Sequence, residues 1–156
     1  MIQAPAYAFD HIGVVVPSVD WGRPRLAPLW GVDAWTAVFE DPIHKVIVQF
    51  GRDHSGIVYE LVAPRGEDAP IRQALSKGQN LLNHVAYRTP DLAAAATVLR
   101  RQGCIPLGRP APAVAFGGQP VQFFLTPVRI ILEVVQGAAT LHRFEHGPGG
   151  EASPPA

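Results

Sequence analysis

A stretch near the N-terminus, FDHIGVVVP (Phe9 to Pro17), returns as LNHVAYRTP from Leu82 to Pro90, and this duplication narrows the choice of fold more than any other feature. His11 and His84 lie 73 positions apart, as do Pro17 and Pro90. At the same spacing Val48-Gln49-Phe50 is matched by Val121-Gln122-Phe123, and IVYELV (Ile57 to Val62) by IILEVV (Ile130 to Val135), so Glu60 is matched by Glu133. Each half carries one His near its start and one Glu near its end, 49 positions apart both times. Self-similarity at one fixed spacing marks two homologous modules.

Each module has the order β-α-β-β-β. Phe9 to Val16 has the β-branched density of a strand, and Pro17-Ser18 ends it. Alternation sets His11, Gly13 and Val15 on one face and Ile12, Val14 and Val16 on the other, which looks like the core side. The following segment holds Gly22, Pro24 and Pro28, which argue for a short or distorted helix. Strands are expected over Ala34 to Glu40, Lys45 to Phe50 and Gly56 to Ala63, with a turn at Asp41-Pro42. Module 1 thus spans 8–63, and a polar linker over 64–80 contains one helical turn at Ile71 to Leu75. Module 2 spans 81–137. Its helix is expected to take Thr89 as N-cap, Pro90 at the first position and Asp91 in the first turn, with a stripe of Leu92, Ala95, Ala96 and Leu99 ending at Gly103. Strands near Ile105, over Val121 to Leu125 and over Ile130 to Gln136 complete it. The Gly/Pro-rich tail, 138–156, is expected to be disordered.

At 156 residues and 47% hydrophobic content the chain can build one shared core. Thirteen basic and thirteen acidic residues cancel, so no field favours nucleic acid or an anionic membrane. No run reaches a membrane-spanning length, the N-terminus lacks a signal-peptide pattern, and the single Cys104 permits no internal disulfide. A cytoplasmic protein is the expectation.

Both Glu60 and Glu133 sit on strands flanked by aliphatic residues, and burying an unpaired carboxylate costs several kcal/mol, on the order of 3–5, unless a cation, a base or water compensates. Small residues two positions beyond each His, Gly13 and Ala86, leave space beside an imidazole. Two imidazoles and two carboxylates form an N₂O₂ set suited to one divalent ion such as Mn²⁺, Co²⁺, Ni²⁺, Fe²⁺ or Zn²⁺, with positions left for water or substrate. A strand His taken alone is more often a hydrogen-bonded structural residue; joint recurrence at one spacing favours the metal. Gln49 and Gln122 recur too, as cleft donors or as packed polar residues. His44, His54, His142 and His146 fall in turns or the tail and are expected to be solvated.

The ordered motifs DHIGVVVP, YELVAPRGEDAPI, LNHVAY, GGQPVQF and LEVVQ resemble the vicinal oxygen chelate (glyoxalase and bleomycin-resistance) superfamily, and most closely its methylmalonyl-CoA epimerase-like branch. The resemblance covers about residues 8 to 137. It implies an α+β fold in which two tandem βαβββ modules form a U-shaped, eight-stranded cleft around one divalent metal held by His11, Glu60, His84 and Glu133. It also implies an isomerase, epimerase or lyase that stabilises an enolate of a small 2-acyl or 2-oxo substrate, such as an acyl-CoA thioester, with Glu133 as one base; a homodimer fits the superfamily. Bacterial epimerases of this branch carry a further glutamate on the third strand of module 1, and Lys45 to Phe50 contains no carboxylate. Glu60 would serve as second base if it leaves the metal, with Glu40, Lys45 or Gln49 assisting; Gln49, Gln122 and Lys45 are the expected substrate-binding residues. Two other functions fit the same fold: an Fe²⁺ dioxygenase built on a His/carboxylate triad, and a non-catalytic protein that binds an antibiotic or metabolite.

Overall fold

The computed structural model describes residues 7–79, 81–138 and 142–146. In chain order the elements are β1 (Ala8–Val15), α1 (Val19–Trp30), β2 (Val32–Trp35), β3 (Phe39–Asp41), β4 (Val46–Asp53), β5 (Val58–Pro64), α2 (Arg72–Lys77), β6 (Leu82–Thr89), α3 (Leu92–Arg101), β7 (Ile105–Pro106), β8 (Ala111–Pro112), a 3₁₀ turn (Val114–Phe116), β9 (Pro120–Leu125), β10 (Ile131–Gln136) and β11 (Glu145–His146).

All strands join one eleven-stranded sheet with the order β11-β2-β4-β5-β1-β6-β10-β9-β7, while β3 pairs with β4 and β8 with β9 off that path. The run from β2 to β7 is the expected pair of four-stranded modules. They meet through their first strands, β1 antiparallel to β6, and each first strand lies parallel to its own module's last, β1 to β5 and β6 to β10. The duplication therefore appears as a pseudo-twofold relation across the β1/β6 seam.

Three clusters hold this arrangement. Val19 and Leu26 of α1 bury against Val16, Leu61 and Ala63 on one outer face. Leu92, Ala95, Ala96 and Leu99 of α3 cover Phe124 and Val134 on the other. Inside the curl, Val48, Phe50 and Val62 of module 1 meet Phe116, Val121 and Val135 of module 2. On β1 both faces reach the core: Val16 is buried with Val14 packed beside it, as their face was expected to be, and His11, Gly13 and Val15 of the other face are buried too. Both faces are covered because α1 lies on one and the inward fold of the sheet closes the other.

The first helix is not short. It runs over twelve residues with Pro24 and Pro28 inside it. An interior proline costs ~3 kcal/mol, and three features offset it. The Ser18 hydroxyl accepts from Trp21 N at the start, Gly31 closes the end at φ 66°, and the buried stripe anchors the middle. Gly22 is a packing residue here: a Cβ on it would lie 2.9 Å from Val16 Cγ1.

Other boundaries shift slightly. Thr89 ends β6, and the N-cap of α3 is Asp91, whose Oδ1 accepts from Ala94 N at 3.0 Å. The single strand expected over Ala34 to Glu40 is two, β2 and β3. The tail expectation fails over 142–146, where β11 pairs with β2 and the Arg52 guanidinium lies 4.6 Å over the Phe144 ring; residues 139–141 and 147–156 lie outside the described residues. Among the described residues no helix is long and apolar enough to cross a membrane.

Candidate metal centre

The central strands set the site. In register, Gly13 faces His84 across the β1/β6 seam and Glu60 on its other side, while Ala86 faces His11 and Glu133 in the equivalent places. Each small residue thus makes room for the imidazole of the opposite module. At Gly13 the clearance is strict, since a Cβ there would fall 2.1 Å from His84 Cε1.

The four side chains meet. His11 Nε2 lies 2.6 Å from Glu60 Oε2 and 3.1 Å from Glu133 Oε2; His84 Nε2 lies 2.9 Å from Glu133 Oε2 and 3.6 Å from Glu60 Oε2. The two Nε2 atoms are 3.1 Å apart. All four residues are buried. Despite these separations, neither Glu60 Oε2 nor Glu133 Oε2 has a hydrogen bond of good geometry. Two carboxylate oxygens and two ring nitrogens converging within 4.8 Å fit a divalent cation, which would compensate their burial. The buried His₂Glu₂ group can hold a metal.

Why Nε2 points inward follows from a repeated pair that the sequence reading passed over. Asp10 Oδ2 accepts from His11 Nδ1 at 2.6 Å, and Asn83 Oδ1 accepts from His84 Nδ1 at 2.9 Å. Oxygen acceptors hold the proton on Nδ1, which leaves Nε2 as the donor atom for a metal and fixes each ring. The signal was visible as Asp-His and Asn-His at the 73-residue spacing. Asp10 is also held by Arg88 Nε at 2.9 Å and by His142 Nε2 at 2.7 Å. Burial opposes its ionisation, but the bonds from His11 and His142 lower its pKa well below the usual carboxylate range. His142, expected to be solvated in the tail, instead has a side chain 2% exposed, with its ring 4.1 Å from that of Phe50.

Burial works against charge on the imidazoles and on the carboxylates, yet their mutual attraction wins. Glu60, Asp10 and Glu133 raise His11 well above its ordinary value, and Glu133 and Glu60 raise His84 to about 9. The histidines in turn lower Glu60, and lower Glu133 to about 2. Without a metal the rings are therefore protonated at neutral pH and must lose protons to become ligands. Metal affinity is accordingly expected to rise with pH across and above the neutral range, with protons released on loading. Calorimetric titration with Mn²⁺ or Co²⁺ in two buffers of different ionisation heat checks this; a pH-independent affinity without proton release contradicts it.

Glu60, His84 and Glu133 line a cavity of about 570 Å³, with His11 fully buried beside them. Val46, Val48, Val62, Ile71, Phe116 and Phe123 make much of its wall. The other residues assigned to substrate do not line it. Gln49 turns to the opposite side of β4, where Nε2 donates to Thr36 O at 2.7 Å and Oε1 accepts from Arg23. Gln122 donates to Gly108 O from the corresponding position on β9. Lys45 is paired with Asp68, and Glu40 with Arg65. His44, expected to be solvated, does line the cavity and bonds Asp41, another lining residue, through Nδ1 at 3.0 Å. His54 is exposed and paired with Asp33.

The fold has counterparts among known proteins. An ethylmalonyl-CoA/methylmalonyl-CoA epimerase of Cereibacter sphaeroides is 29% identical over 115 residues, covering 73% of this chain and 84% of that protein. Methylmalonyl-CoA epimerase from Mycobacterium tuberculosis superposes with a TM-score of 0.72 at 19% identity, over 89% of this chain and 93% of the other. A Streptomyces coelicolor methylmalonyl-CoA epimerase variant in complex with 2-nitronate-propionyl-CoA superposes with a TM-score of 0.68 at 22% identity, over 84% and 97%. Residues 10–123 match the family described as the Glyoxalase/Bleomycin resistance protein/Dioxygenase superfamily, and with the doubled βαβββ sheet around a buried His₂Glu₂ group the chain belongs to that superfamily.

Proposed function

We propose that this protein is a metal-dependent epimerase acting at the α-carbon of an acyl-CoA thioester, with methylmalonyl-CoA or a close 2-alkylmalonyl thioester as substrate. The observation that carries the proposal is the convergence of His11, Glu60, His84 and Glu133, three of them facing a cavity large enough for an acyl thioester. The relative named as an ethylmalonyl-CoA/methylmalonyl-CoA epimerase supports the substrate class.

The four side chains would hold one ion of Mn²⁺, Co²⁺, Ni²⁺, Fe²⁺ or Zn²⁺, whose mixed nitrogen and oxygen preferences they meet. When bound, that cation supplies charge neutralisation for the oxyanion that develops as the carbon acid ionises. Glu133, on the cavity wall and part of the four-donor set, is the carboxylate beside the reacting carbon and would take the α-proton. Asp10 and Asn83 keep the imidazoles oriented, and the apolar wall excludes water from the reacting carbon. Lys77, on the cavity wall, offers positive charge to an anionic substrate. A dioxygenase triad needs one carboxylate where two converge here, and a purely binding role leaves the converging donors without purpose.

The test is to incubate metal-loaded and EDTA-treated protein with a single enantiomer of methylmalonyl-CoA in deuterated water. Epimerisation with α-deuteration is expected only with metal. A protein that binds no divalent metal and exchanges no α-proton would refute the proposal.

A further inference from the structure

An epimerase that works through a planar enolate needs a proton carrier on each face, and module 1 offers no carboxylate where one is expected. The positions of β4 that line the cavity are Val46 and Val48. Glu40 is exposed and paired outside. Lys45 and Gln49 point their polar ends elsewhere. Glu60 belongs to the buried four-donor set. The second carrier must therefore come from another element.

The turn between β3 and β4 holds a group with the required chemistry. Asp41 is almost fully buried and bonded on every side: Oδ1 accepts from Ile43 N at 3.0 Å and His44 N at 2.9 Å, while Oδ2 accepts from Val114 N at 3.2 Å and pairs with His44 Nδ1 at 3.0 Å. The Val114 bond crosses from module 2, so both halves of the molecule fix this carboxylate. Burial would raise its pKa, but the bonds from His44 and Val114 outweigh that and lower it. A carboxylate so held keeps the proton of His44 on Nδ1, and among the described residues no hydrogen bond engages Nε2. The His44 side chain is 21% exposed and belongs to the cavity wall. One ring, that of Phe123, contacts both His44 and the four-donor group: it lies edge-on to His44 at 6.3 Å and to His84 at 5.6 Å between ring centres. Directly after His44, Lys45 takes φ 56°, a conformation that costs a non-glycine residue on the order of 1 kcal/mol and that a simple tight turn would assign to Gly or Asn.

We propose that His44, oriented by Asp41, is the second acid/base of this cleft, carrying the proton on the enolate face opposite Glu133. The inference rests on the epimerase reading. In one direction Glu133 removes the α-proton, the C–H electron pair passes into the thioester as an enolate, and protonated His44 delivers a proton to form the new C–H bond on the other face. Glu133 is left protonated and His44 neutral, and both reset by exchange with solvent; the reverse direction exchanges their roles. Asp41, its carboxylate engaged by His44 and three backbone N–H groups, acts through His44 and is a positioning residue.

The experiment compares wild type with His44→Gln and His44→Glu in the metal-loaded full chain, following each enantiomer of methylmalonyl-CoA separately in deuterated water. For H44Q, epimerisation is expected to fall by about 10²- to 10⁴-fold, while one enantiomer still exchanges its α-proton through Glu133 without inversion. H44E restores a proton carrier and is expected to recover part of the lost rate, which a merely structural His44 would not predict. Metal content of both variants should match wild type, while each loses some melting temperature with the Nδ1 bond to buried Asp41. H44Q that epimerises at the wild-type rate, or that loses exchange of both enantiomers equally, overturns the role of His44 and leaves the epimerase reading intact. Wild type that neither epimerises nor exchanges overturns both.

Discussion

Gly13→Ala is expected to abolish high-affinity metal binding. The added methyl would sit 2.1 Å from His84 Cε1, 2.4 Å from Nδ1 and 2.5 Å from Nε2, far inside contact distance, so the imidazole has to leave. Its departure removes one donor nitrogen and takes from Glu133 the base that lies 2.9 Å away. Affinity should drop by at least about 10²-fold, more than loss of an outer hydrogen bond to a ligand would give. Breaking a buried ion pair and overfilling a packed site together cost about 3–5 kcal/mol, or roughly 6–20 °C of melting temperature at this chain length. The diagnostic readout is calorimetry with and without EDTA: wild type should lose stability on chelation, because a ligand present at 1,000 times its Kd stabilises by about 4 kcal/mol, whereas the variant should not respond. Gly22→Ala is the control, since its methyl meets Val16 under α1 at 2.9 Å, away from the metal group; it should cost stability and keep the response to EDTA. A G13A protein that binds Co²⁺ like wild type would show that His84 is not a ligand.

Glu133→Gln is expected to reduce turnover by about 10³-fold or more, the amide being isosteric but unable to accept the α-proton. It also removes the largest favourable contribution to the charge of His84, which should become easier to deprotonate. Glu60→Gln makes the informative contrast. Its amide oxygen can still donate to a metal, and with His44 as the second proton carrier the variant should keep epimerisation within about tenfold of wild type. Steady-state rates with matched metal content decide between them. Equal losses for the two variants would mean that Glu60 carries a proton as well, and an active E133Q would remove Glu133 from the chemistry.

The sequence by itself determined the doubled architecture and the four converging groups. A copy of one motif at a constant spacing leaves few ways to fold, and His11, Glu60, His84 and Glu133 occupy equivalent positions in the two copies. Strand periodicity then made Gly13 and Ala86 legible as space for imidazoles. Only the tertiary structure decided which neighbours serve that site. Gln49 and Gln122 repeat as faithfully as the glutamates, yet apolar residues flank them on both sides, so alternation cannot say which face looks into the cleft; the curl of the sheet turns both outward. The two prolines of α1 forbade a regular helix on local propensity, and packing against Leu61 and Ala63 outweighed them. His142 and His44 looked solvated because tails and turns usually are, whereas long-range closure brings the first against Asp10 and the second, through Asp41 and Val114, to the cavity wall. Local periodicity encodes which face of an element a residue occupies. What that face meets depends on contacts between segments far apart in the chain, and these leave no periodic mark on the sequence.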